Sequence, residues 1–397
     1  MRLLVILYAG DYREAYQRML TCDGETYYGH RYAVQSLINI GQKIEEVAVL
    51  CCKSQESYNE LLTPGFRVIG TGFHPQNHKK ELLKIIHDYQ PTHVVLRTPL
   101  IQVLSWLTRR QIPTLVMFAD SFLRQNISSK LRYWRMVWQL NRSCVQWVSN
   151  HGVNSSYALC KLGVNANKLI PWDWPHSRSP REYPPKKLTI DHKPWQLIYV
   201  GSINISKGVS DLLETIAILK KNHLTVTLKI AGKGHIDAFK LQAKTLGIEE
   251  IVDFLGLVPN DTIVERMREA DLVLVPSRHE YPEGFPLTIY EALCSHTPIV
   301  ASDHPMFSGV LSHKTSAMIF PAGNSQAMAQ RIEHIMTNAE LYSNISAASL
   351  NTWEKLQIPV KWAELIERWL FMSTENEQWL IKHSLNAGIY NFPSLIR

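Results

Sequence analysis

The chain has 397 residues, of which 45% are hydrophobic and 19% charged. At about 150 residues per domain, this length favours two globular domains, and the composition excludes a disordered, collagen-like or coiled-coil chain. Lysine and arginine number 42 against 35 for aspartate and glutamate, and this surplus of 7 favours an anionic partner: a nucleotide, a phosphate, nucleic acid or an acidic membrane surface.

The first apolar run, Met1–Ala9, is similar to the front of a signal peptide, but it is short and no small-residue cleavage site follows. We interpret it as a buried strand. No stretch reaches the roughly 18 apolar residues that a membrane-spanning helix needs. The cysteines include no C-x-x-C pair, which argues against a disulfide framework or a zinc site and favours a cytoplasmic protein. They are Cys22, Cys51, Cys52, Cys144, Cys160 and Cys294.

Short apolar runs alternate with amphipathic stretches in the first half. The long stretch Gly10–Tyr28 is predicted to be a loop. Strands alternating with helices predict a parallel sheet covered on both faces. Strands are predicted at Leu3–Ala9, Glu46–Cys51, Arg67–Ile69, Thr92–Leu96 and Thr114–Phe118, and helices at Arg31–Ile40, Lys79–Asp88 and Ile101–Arg109.

A polar, proline-rich segment at Arg178–Thr189 interrupts this alternation and is the best candidate for a linker. Beyond it, strands are predicted at Gln196–Val200, Thr225–Ala231, Val252–Phe254, Leu272–Pro276, Ile299–Ser302 and Met318–Phe320. Helices are predicted at Val209–Lys220, Ile236–Leu246, Asp261–Glu269, Pro286–Cys294, Ser325–Thr337 and Val360–Met372. We therefore predict two doubly wound α/β domains facing a cleft, at 1–175 and 195–358, a linker at 176–194, and C-terminal helices at 359–397 that cross back onto the first domain.

The densest group of polar residues follows the predicted strand Leu272–Pro276. Gly284 lets the backbone approach a ligand closely, and Pro286 suits the first turn of a helix. The free amides of that turn would form an anion site. Glu283 and Glu291 bracket it, and a carboxylate can accept two adjacent sugar hydroxyls. Alternatively, both are solvated surface carboxylates.

Two glycine-containing turns follow other predicted strands. In Gly201–Gly208, Lys207 precedes a helix and could reach the carboxyl ends of the strands, where ligands of open α/β sheets bind. Its point charge suits phosphate oxygens, although lysines in such positions are also common on surfaces. In Ala231–His235, Gly232 lies where a strand meets a turn.

The Glu283-x7-Glu291 spacing, followed by Thr297–Asp303, resembles the retaining, nucleotide-sugar-dependent glycosyltransferases of family 4, which share the GT-B fold. The segments Gly201–Gly208, Ala231–Gly234, Phe254–Val258 and Ala270–Ser277 resemble other motifs of that family, in the same order. The resemblance is specific over residues 197–335 and weak over the first domain.

The resemblance implies a role for each matching residue. Glu283 would bind hydroxyls of the donor sugar, Glu291 the ribose hydroxyls, and Lys207 the departing phosphate. The amides that follow Glu283 would hold the diphosphate, and the turn ending at Val258 would meet the base. The implied donor-binding residues are Ser202, Lys207, Gly232, Val258, Glu283, Gly284, Phe285, Pro286, Leu287, Thr288 and Glu291, with Gly29 of the first domain.

Two positions depart from the family pattern. Ser202 stands where the family usually has an arginine, so phosphate stabilisation would rest on Lys207, the helix amides or another basic group. The usual histidine before an aspartate is absent at Ala119, which leaves Asp120 as a candidate for the sugar or acceptor, or as a strand-end cap. Gly29 could bring amides to the diphosphate. The tyrosines before it either stack on a sugar or pack locally; they are Tyr12, Tyr16, Tyr27 and Tyr28.

The sequence contains no D-x-D motif, which is consistent with a metal-independent reaction without a cofactor. The resemblance implies retention, with the leaving phosphate taking the acceptor's proton, and suggests Glu283, Lys207 and Asp120 as catalytic residues. A UDP-sugar of the UDP-glucose type is the expected donor. The resemblance also implies a glycan or lipid-linked acceptor in exopolysaccharide or cell-envelope synthesis, where members of this family commonly act.

The segment Lys130–Arg142 predicts a basic amphipathic helix. Such a helix can rest on an anionic membrane surface, here the inner face of the membrane, or can pack normally with one solvated basic face. No recognised motif supports nucleic-acid binding. The predicted basic face carries Arg132, Arg135, Gln139 and Arg142; Tyr133, Val137 and Leu140 lie opposite, with Trp134 and Trp138 near the edge.

Three other functions fit the same architecture. A nicotinamide-dependent oxidoreductase would need G-x-G-x-x-G/A, but Asp237 occupies the third small-residue position after Gly232. A sugar-nucleotide-binding protein without catalysis is favoured by Ser202. A phosphorylase or a sugar-nucleotide epimerase would share the fold.

Overall fold

The computed structural model describes residues 1–8, 10–21, 29–123, 127–188 and 194–390. The chain forms two compact units. The first comprises Met1–Pro175, Pro282–Phe285 and 358–390, and the second comprises His176–Tyr281 and Pro286–Gln357. Each unit contains one sheet in which nearly all neighbouring strands are parallel, so the prediction of a doubly wound α/β architecture is confirmed.

The sheet of the first unit has eight strands, in the order β3-β4-β2-β1-β5-β6-β7-β8. Only β3 is antiparallel to its neighbour. The strands β2 to β4 lie on one side of β1, and the strands β5 to β8 lie on the other side. The strand order therefore reverses between β1 and β5. The strands are β1 Arg2–Leu7, β2 Glu46–Cys51, β3 Ser57–Thr63, β4 Phe66–Thr71, β5 His93–Leu96, β6 Thr114–Phe118, β7 Val145–His151 and β8 Leu169–Trp172.

Helices connect these strands, as parallel pairing requires. Their apolar stripes and the strands supply the core: in β1, Leu3 to Leu7 are all buried, because a strand covered on both faces has no solvent side. The helices are α1 Tyr12–Thr21, α2 His30–Gly41, α3 Lys79–Tyr89, α4 Ile101–Arg110, α5 Ile127–Leu140 and α6 Val153–Lys161.

The prediction of a loop at Gly10–Tyr28 was wrong for α1. Asp11 Oδ1 accepts hydrogen bonds from the amides of Arg13 at 2.9 Å and Glu14 at 3.5 Å, which is a helix N-cap that the tyrosine-rich composition obscured. Tyr12 is 1% exposed, so it packs in the core and is not a stacking surface. Tyr16 packs on Phe66, with ring centroids 6.5 Å apart. The remaining two tyrosines of this stretch, at 27 and 28, lie outside the described residues.

Three strands of the first sheet were not predicted. The edge strand β3 alternates exposed and half-buried residues and has no apolar run. The strand β7 ends in buried polar residues, Ser149, Asn150 and His151. The strand β8 contains Pro171, which a ladder tolerates here because β8 pairs with a neighbour, β7, on one side only.

The sheet of the second unit has six parallel strands, in the order β11-β10-β9-β12-β13-β14. Its strand order reverses between β9 and β12. The strands are β9 Trp195–Val200, β10 Val226–Ala231, β11 Val252–Gly256, β12 Leu272–Val275, β13 Ile299–Ser302 and β14 Met318–Phe320. The helices are α7 Val209–Lys221, α8 Ile236–Thr245, α9 Ile263–Glu269, α10 Leu287–Cys294, α11 Ser325–Met336, α12 Ala339–Ala347 and α13 Ser349–Leu356.

The chain leaves the first unit at Pro175, contributes Pro282–Phe285 to it, and returns to it for good at Ile358. Two helices follow the return, α14 Trp362–Leu370 and α15 Thr374–Lys382. Asp173 and Lys361 form a parallel β-bridge: the Asp173 amide donates to Val360 O at 3.0 Å, and the Trp362 amide donates to Asp173 O at 3.1 Å. The departing and returning chain segments are therefore hydrogen-bonded to each other.

Candidate nucleotide-sugar site

The loop that contains Lys207 follows β9, one of the two strands at which the order of the second sheet reverses. Asn204 Oδ1 accepts from the Lys207 amide at 2.8 Å and from Ser206 Oγ at 3.0 Å, which fixes the turn before α7. Lys207 Nζ lies 4.4 Å from the centroid of the Tyr281 ring, in the loop after β12. The predicted phosphate-binding lysine is thus positioned at the carboxyl ends of β9 and β12, where such sheets bind ligands.

Gly232 has a steric reason to be glycine. A Cβ built there would lie 1.8 Å from Gly201 O, and the residue has a φ of +146°. The Gly201 amide donates to Ala231 O at 3.0 Å, so the loops after β9 and β10 are in direct contact. The absence of a side chain at Gly232 therefore allows these two loops to approach each other.

Arg278 is a basic residue beside the Lys207 loop that the sequence analysis did not single out. It donates to both carboxylate oxygens of Asp211, from Nε at 2.8 Å and Nη2 at 2.5 Å, and its amide donates to Ser206 O at 2.9 Å. The hydrogen bonds that Arg278 donates to Asp211 raise the pKa of Arg278 above its ordinary value. Because Asp211 neutralises this charge, Arg278 does not replace the arginine missing at Ser202, which is exposed.

The helix after β12 begins one residue later than predicted. Pro286 is the N-cap of α10 and not its first helical residue, because its ψ of 121° is extended. Within the described ranges, the amides of Gly284, Leu287 and Thr288 donate no hydrogen bond, as expected for free groups at a helix N-terminus. Thr288 Oγ1 donates to Val200 O at 3.1 Å and ties the helix to the end of β9.

Glu291 is half-buried on α10, and no described residue forms a hydrogen bond or ion pair with its carboxylate. Burial raises its pKa from 4.5 to about 7. A half-buried carboxylate without a protein partner is suited to accept hydroxyls from a ligand. The alternative of a solvated surface glutamate does not describe this environment.

Glu283, Gly284 and Phe285 belong to the first unit. Glu283 is only 6% exposed and Phe285 only 8%, so the alternative of a solvated loop glutamate is wrong. A Cβ at Gly284 would lie 3.2 Å from the His151 ring, which leaves no room for a larger residue without a shift. The carboxyl group of Glu283 is therefore held in a buried segment and not on a free loop.

Val258 lies after β11, beyond Gly256. Its backbone N–H and C=O make no hydrogen bond with any residue in the described part of the chain. The Gly256 carbonyl, in contrast, accepts from the Gly232 amide at 2.8 Å. The backbone groups of Val258 are therefore available to a nucleobase.

Asp120 lies after β6 in the first unit. Its Oδ1 accepts from the Phe122 amide at 2.9 Å, and its backbone groups bond to the Asn150 side chain at 3.2 Å and 2.8 Å. These contacts correspond to the strand-end cap that was one of the two interpretations of Asp120.

Gly29 is the N-cap of α2, with a φ of +88°. A Cβ there would lie 2.8 Å from the Trp174 ring. Trp174 is 2% exposed and stacks on Trp362 with ring centroids 5.6 Å apart. The absence of a side chain at Gly29 therefore allows Trp174 to pack against the start of α2.

The sequence analysis also missed a buried group at the carboxyl ends of β7 and β8. His151 Nε2 and Asp173 Oδ1 are 3.0 Å apart, and both residues are at most 5% exposed. Asp173 Oδ2 lies 3.9 Å from Lys361 Nζ, and burial lowers the pKa of Lys361. The histidine that the family resemblance leads one to seek at 119 is absent, but a buried histidine–aspartate pair lies on nearby strands.

The helix α5 exposes a stripe of large apolar side chains. Ile127, Leu131, Trp134 and Trp138 are 87%, 52%, 66% and 50% exposed. Gln139, predicted on the solvated basic face, is instead buried, because its Oε1 accepts from Thr108 Oγ1 at 2.6 Å. The exposed face therefore combines apolar side chains with the flanking basic ones, which are Lys130, Arg132, Arg135 and Arg142.

Among the described residues, no helix is long and apolar enough to cross a membrane. No group of three or more His, Cys, Asp or Glu side chains there is arranged to hold a metal ion.

Residues 181–352 match the family model described as Glycosyl transferases group 1. An amylovoran biosynthesis glycosyltransferase of Erwinia amylovora, AmsK, is 30% identical over 142 residues, 35% of this chain and 35% of the relative. A phosphatidyl-myo-inositol mannosyltransferase of Mycobacterium leprae is 32% identical over 142 residues, 36% of this chain and 37% of the relative. The chain thus matches little more than a third of the length of these two curated relatives.

Solved structures are similar over nearly the whole chain. HepE of Anabaena, in complex with UDP-glucose, has a TM-score of 0.64 at 16% identity and covers 90% of this chain and 95% of its own. A sucrose-phosphate synthase of Thermosynechococcus elongatus has a TM-score of 0.67 at 15% identity, covering 94% and 98%. The expected GT-B fold is confirmed. Residues 181–352 are therefore similar to the group 1 glycosyl transferases, as the motifs of this segment led us to expect.

Proposed function

We propose that the protein is a retaining, metal-independent glycosyltransferase that moves a hexose from a UDP-sugar, of the UDP-glucose type, to a glycan or lipid-linked acceptor. The match of residues 181–352 to the group 1 family carries this proposal. Lys207 and the free amides at the start of α10 support it, because both lie where the second sheet reverses its strand order. A neighbour solved with UDP-glucose supports the choice of donor.

In this reaction the bond between the sugar's anomeric carbon and the diphosphate breaks, and a bond to an acceptor oxygen forms on the same face. The acceptor's proton passes to the leaving phosphate. Lys207 and the amides of Leu287 and Thr288 stabilise the charge that develops on UDP. Preorganised donors of this kind contribute about 3–4 kcal/mol each. Asn204 and Tyr281 hold Lys207 in place.

Glu291 accepts the two ribose hydroxyls, and Glu283 accepts hydroxyls of the transferred sugar. Neither carboxylate acts as a covalent nucleophile in this scheme. Asp120 belongs to the first unit and is assigned to the sugar or the acceptor. Synthesis of an exopolysaccharide or a cell-envelope glycan is the proposed setting, which the amylovoran biosynthesis glycosyltransferase among the relatives supports.

The test is release of UDP from a panel of nucleotide sugars, with and without a metal chelator. Lys207→Ala and Glu283→Ala are expected to reduce turnover at least 100-fold while the protein remains folded, as loss of such a donor does elsewhere. Lys221→Ala, an exposed lysine of α7, is the matched control. Full activity in either site variant contradicts the assignment. Binding of UDP-sugars without UDP release under any condition would instead favour a non-catalytic binding protein.

We also propose that α5 rests on an anionic membrane surface. Its four exposed apolar residues are spaced by four, three and four positions, so they form one continuous stripe on a helix. Four basic side chains flank this stripe, and each contributes about 1 kcal/mol near an anionic leaflet. Arg142 lies 4.1 Å above the Trp138 ring, so charge and apolar surface are adjacent. This complementarity favours anionic lipid as the occupant.

Sedimentation with vesicles tests this surface. We expect binding to vesicles that contain phosphatidylglycerol, much weaker binding to pure phosphatidylcholine, and weakening by salt. The double variant Trp134→Ser, Trp138→Ser is expected to bind at least tenfold more weakly. Leu241→Ser removes a side chain that is equally exposed, at 66%, on the second unit, and serves as the control. Equal binding by the wild type and the double variant would exclude α5 as the contact.

A further inference from the structure

Arg97 lies at the point where the strand order of the first sheet reverses. It follows directly after β5, and β5 is adjacent to β1, where the strand order of the first sheet reverses. In open α/β sheets, ligands bind outside the carboxyl ends of the strands at this reversal. The corresponding positions of the second sheet carry Lys207 and the loop before α10. Arg97 is therefore the basic residue at the equivalent place in the first sheet.

No hydrogen bond or ion pair from the Arg97 side chain occurs in the described ranges, and its Nε is buried without an acceptor. Its contacts are aromatic instead. The Arg97 Cζ lies 5.6, 5.4 and 5.3 Å from the ring centroids of Trp172, Trp174 and Trp362. A partly buried guanidinium that faces rings and has no acceptor retains its full capacity for an anion.

Two more buried donors belong to the same tryptophan cluster. Trp362 is fully buried, and its Nε1 has no acceptor among the described residues. The preceding residue, Lys361, has a buried Nζ without a hydrogen bond, 3.9 Å from Asp173 Oδ2. Leaving a buried donor unpaired costs about 1–3 kcal/mol, so three together need an explanation.

The charges around this cluster do not balance. Arg97 and Lys361 supply two positive charges. Asp173 supplies one negative charge and already bonds to His151 and to the Trp174 amide at 2.8 Å. Among these three side chains, one unit of positive charge is in excess. Every unpaired group named here is a donor, so the missing partner is an acceptor with negative charge.

We propose that Arg97, with Lys361 and Trp362, binds an oxyanion carried by the acceptor substrate, a phosphate or a carboxylate. The assignment to the acceptor rests on the proposed function, because Lys207 and Glu291, which serve the donor, belong to the second unit. Arginine presents paired N–H donors to both oxyanions. A phosphate-bearing lipid and an acidic glycan are the two sources of this chemistry.

The experiment uses the full chain labelled with ¹⁵N at the tryptophan indoles, with saturating UDP present so that donor residues are occupied. Methyl phosphate and methyl glucuronide are titrated separately at constant ionic strength, and the Trp362 indole signal is assigned with Trp362→Phe. We expect this signal to shift with at least one probe. Arg97→Gln is expected to weaken the response at least tenfold, and Arg97→Lys less. Arg110→Gln is the matched control, since Arg110 lies 4.3 Å from the Trp106 ring on α4.

A stronger response to methyl phosphate supports a phosphate-bearing acceptor, and a stronger response to the glucuronide supports an acidic glycan. No shift with either probe, or equal responses in wild type and Arg97→Gln, overturns the proposal. If Arg97→Gln fails to fold, Arg97→Lys supplies the comparison. UDP release by the wild-type enzyme is measured separately, so failure of the proposed function is recognised independently of this anion site.

Discussion

Replacing Glu291 by glutamine isolates the effect of one buried charge. In the folded protein the pKa of Glu291 is raised from 4.5 to about 7, because burial disfavours the ionised form. The folded state therefore binds this proton more tightly than the unfolded state does. The resulting stability is fully present below pH 4.5, declines between pH 4.5 and 7, and is lost above pH 7. Glutamine keeps the size of the side chain but has no charge to bury.

The shift of about 2.5 units corresponds to at most about 3 kcal/mol at pH 8, since each pKa unit is worth 1.36 kcal/mol. For a protein unit of this size, that equals an increase in Tm of roughly 6 °C or more for Glu291→Gln. The increase should vanish near pH 4.5. Thermal melts of ligand-free protein from pH 4.5 to 9 measure it. Glu250→Gln, an exposed glutamate of the same unit, is the control.

The raised pKa of Glu291 also predicts that a proton is released when UDP binds. Ribose hydroxyls that donate to the carboxylate favour its ionised form and lower its pKa. At pH 6.5 the wild type should release roughly half a proton per UDP, and Glu291→Gln none. Calorimetry in buffers of different ionisation enthalpy gives this number. Parallel melting curves for wild type and Glu291→Gln across the pH range would refute the reasoning about burial. Equal proton release by both would refute the contact with ribose.

Three further variants test the second unit. Arg278→Ala leaves the carboxylate of Asp211, which is 2% exposed, as an unpaired buried charge. It should lower the free energy of unfolding, measured in urea, by about 3–5 kcal/mol. Replacing Asp211 by leucine in the same variant should restore most of this loss. Gly232→Ala places a Cβ 1.8 Å from Gly201 O and should lower the free energy of unfolding by more than about 2 kcal/mol. Gly247→Ala is the control, because open space surrounds Gly247, and it should lower this free energy by less. Ser202→Arg should raise kcat at least tenfold if phosphate stabilisation limits turnover; an unchanged kcat would show that it does not.

Most of the strands that sequence patterns predicted are buried on both faces, because continuous apolar runs mark them; β11 is an exception, with only Val252 buried. The missed strand β7 ends in polar residues that are nevertheless buried: Asn150 bonds to backbone groups of Asp120 and Ser155, which a single sequence does not reveal. The proline of β8 argues against a strand until the sheet order shows that β8 pairs on one side only. Burial and pairing, not local propensity, decide both cases.

The donor-site residues were predictable because their motifs are local in sequence. Lys207 and Glu291 each lie in a strand–loop–helix segment that can be identified without tertiary structure. Arg97 was not predictable in this way. Its partners are tryptophans 75, 77 and 265 positions further along the chain. A charged residue directly after a buried strand was the only local signal, and its meaning depends on which strand is adjacent to β5.

The bridge between Asp173 and Lys361 has a consequence for how the chain folds during synthesis. In chain order, most of the second unit is inserted between two parts of the first, and Pro282–Phe285 of the first unit lie within this insertion. A ribosome completes residues 176–357 before the last helices of the first unit emerge. The ends of the insertion are already hydrogen-bonded to each other, so closing that 187-residue loop costs the first unit a single loop-closure penalty, which grows only slowly with loop length. Shortening the insertion while Pro282–Phe285 are kept should therefore leave the first unit able to fold.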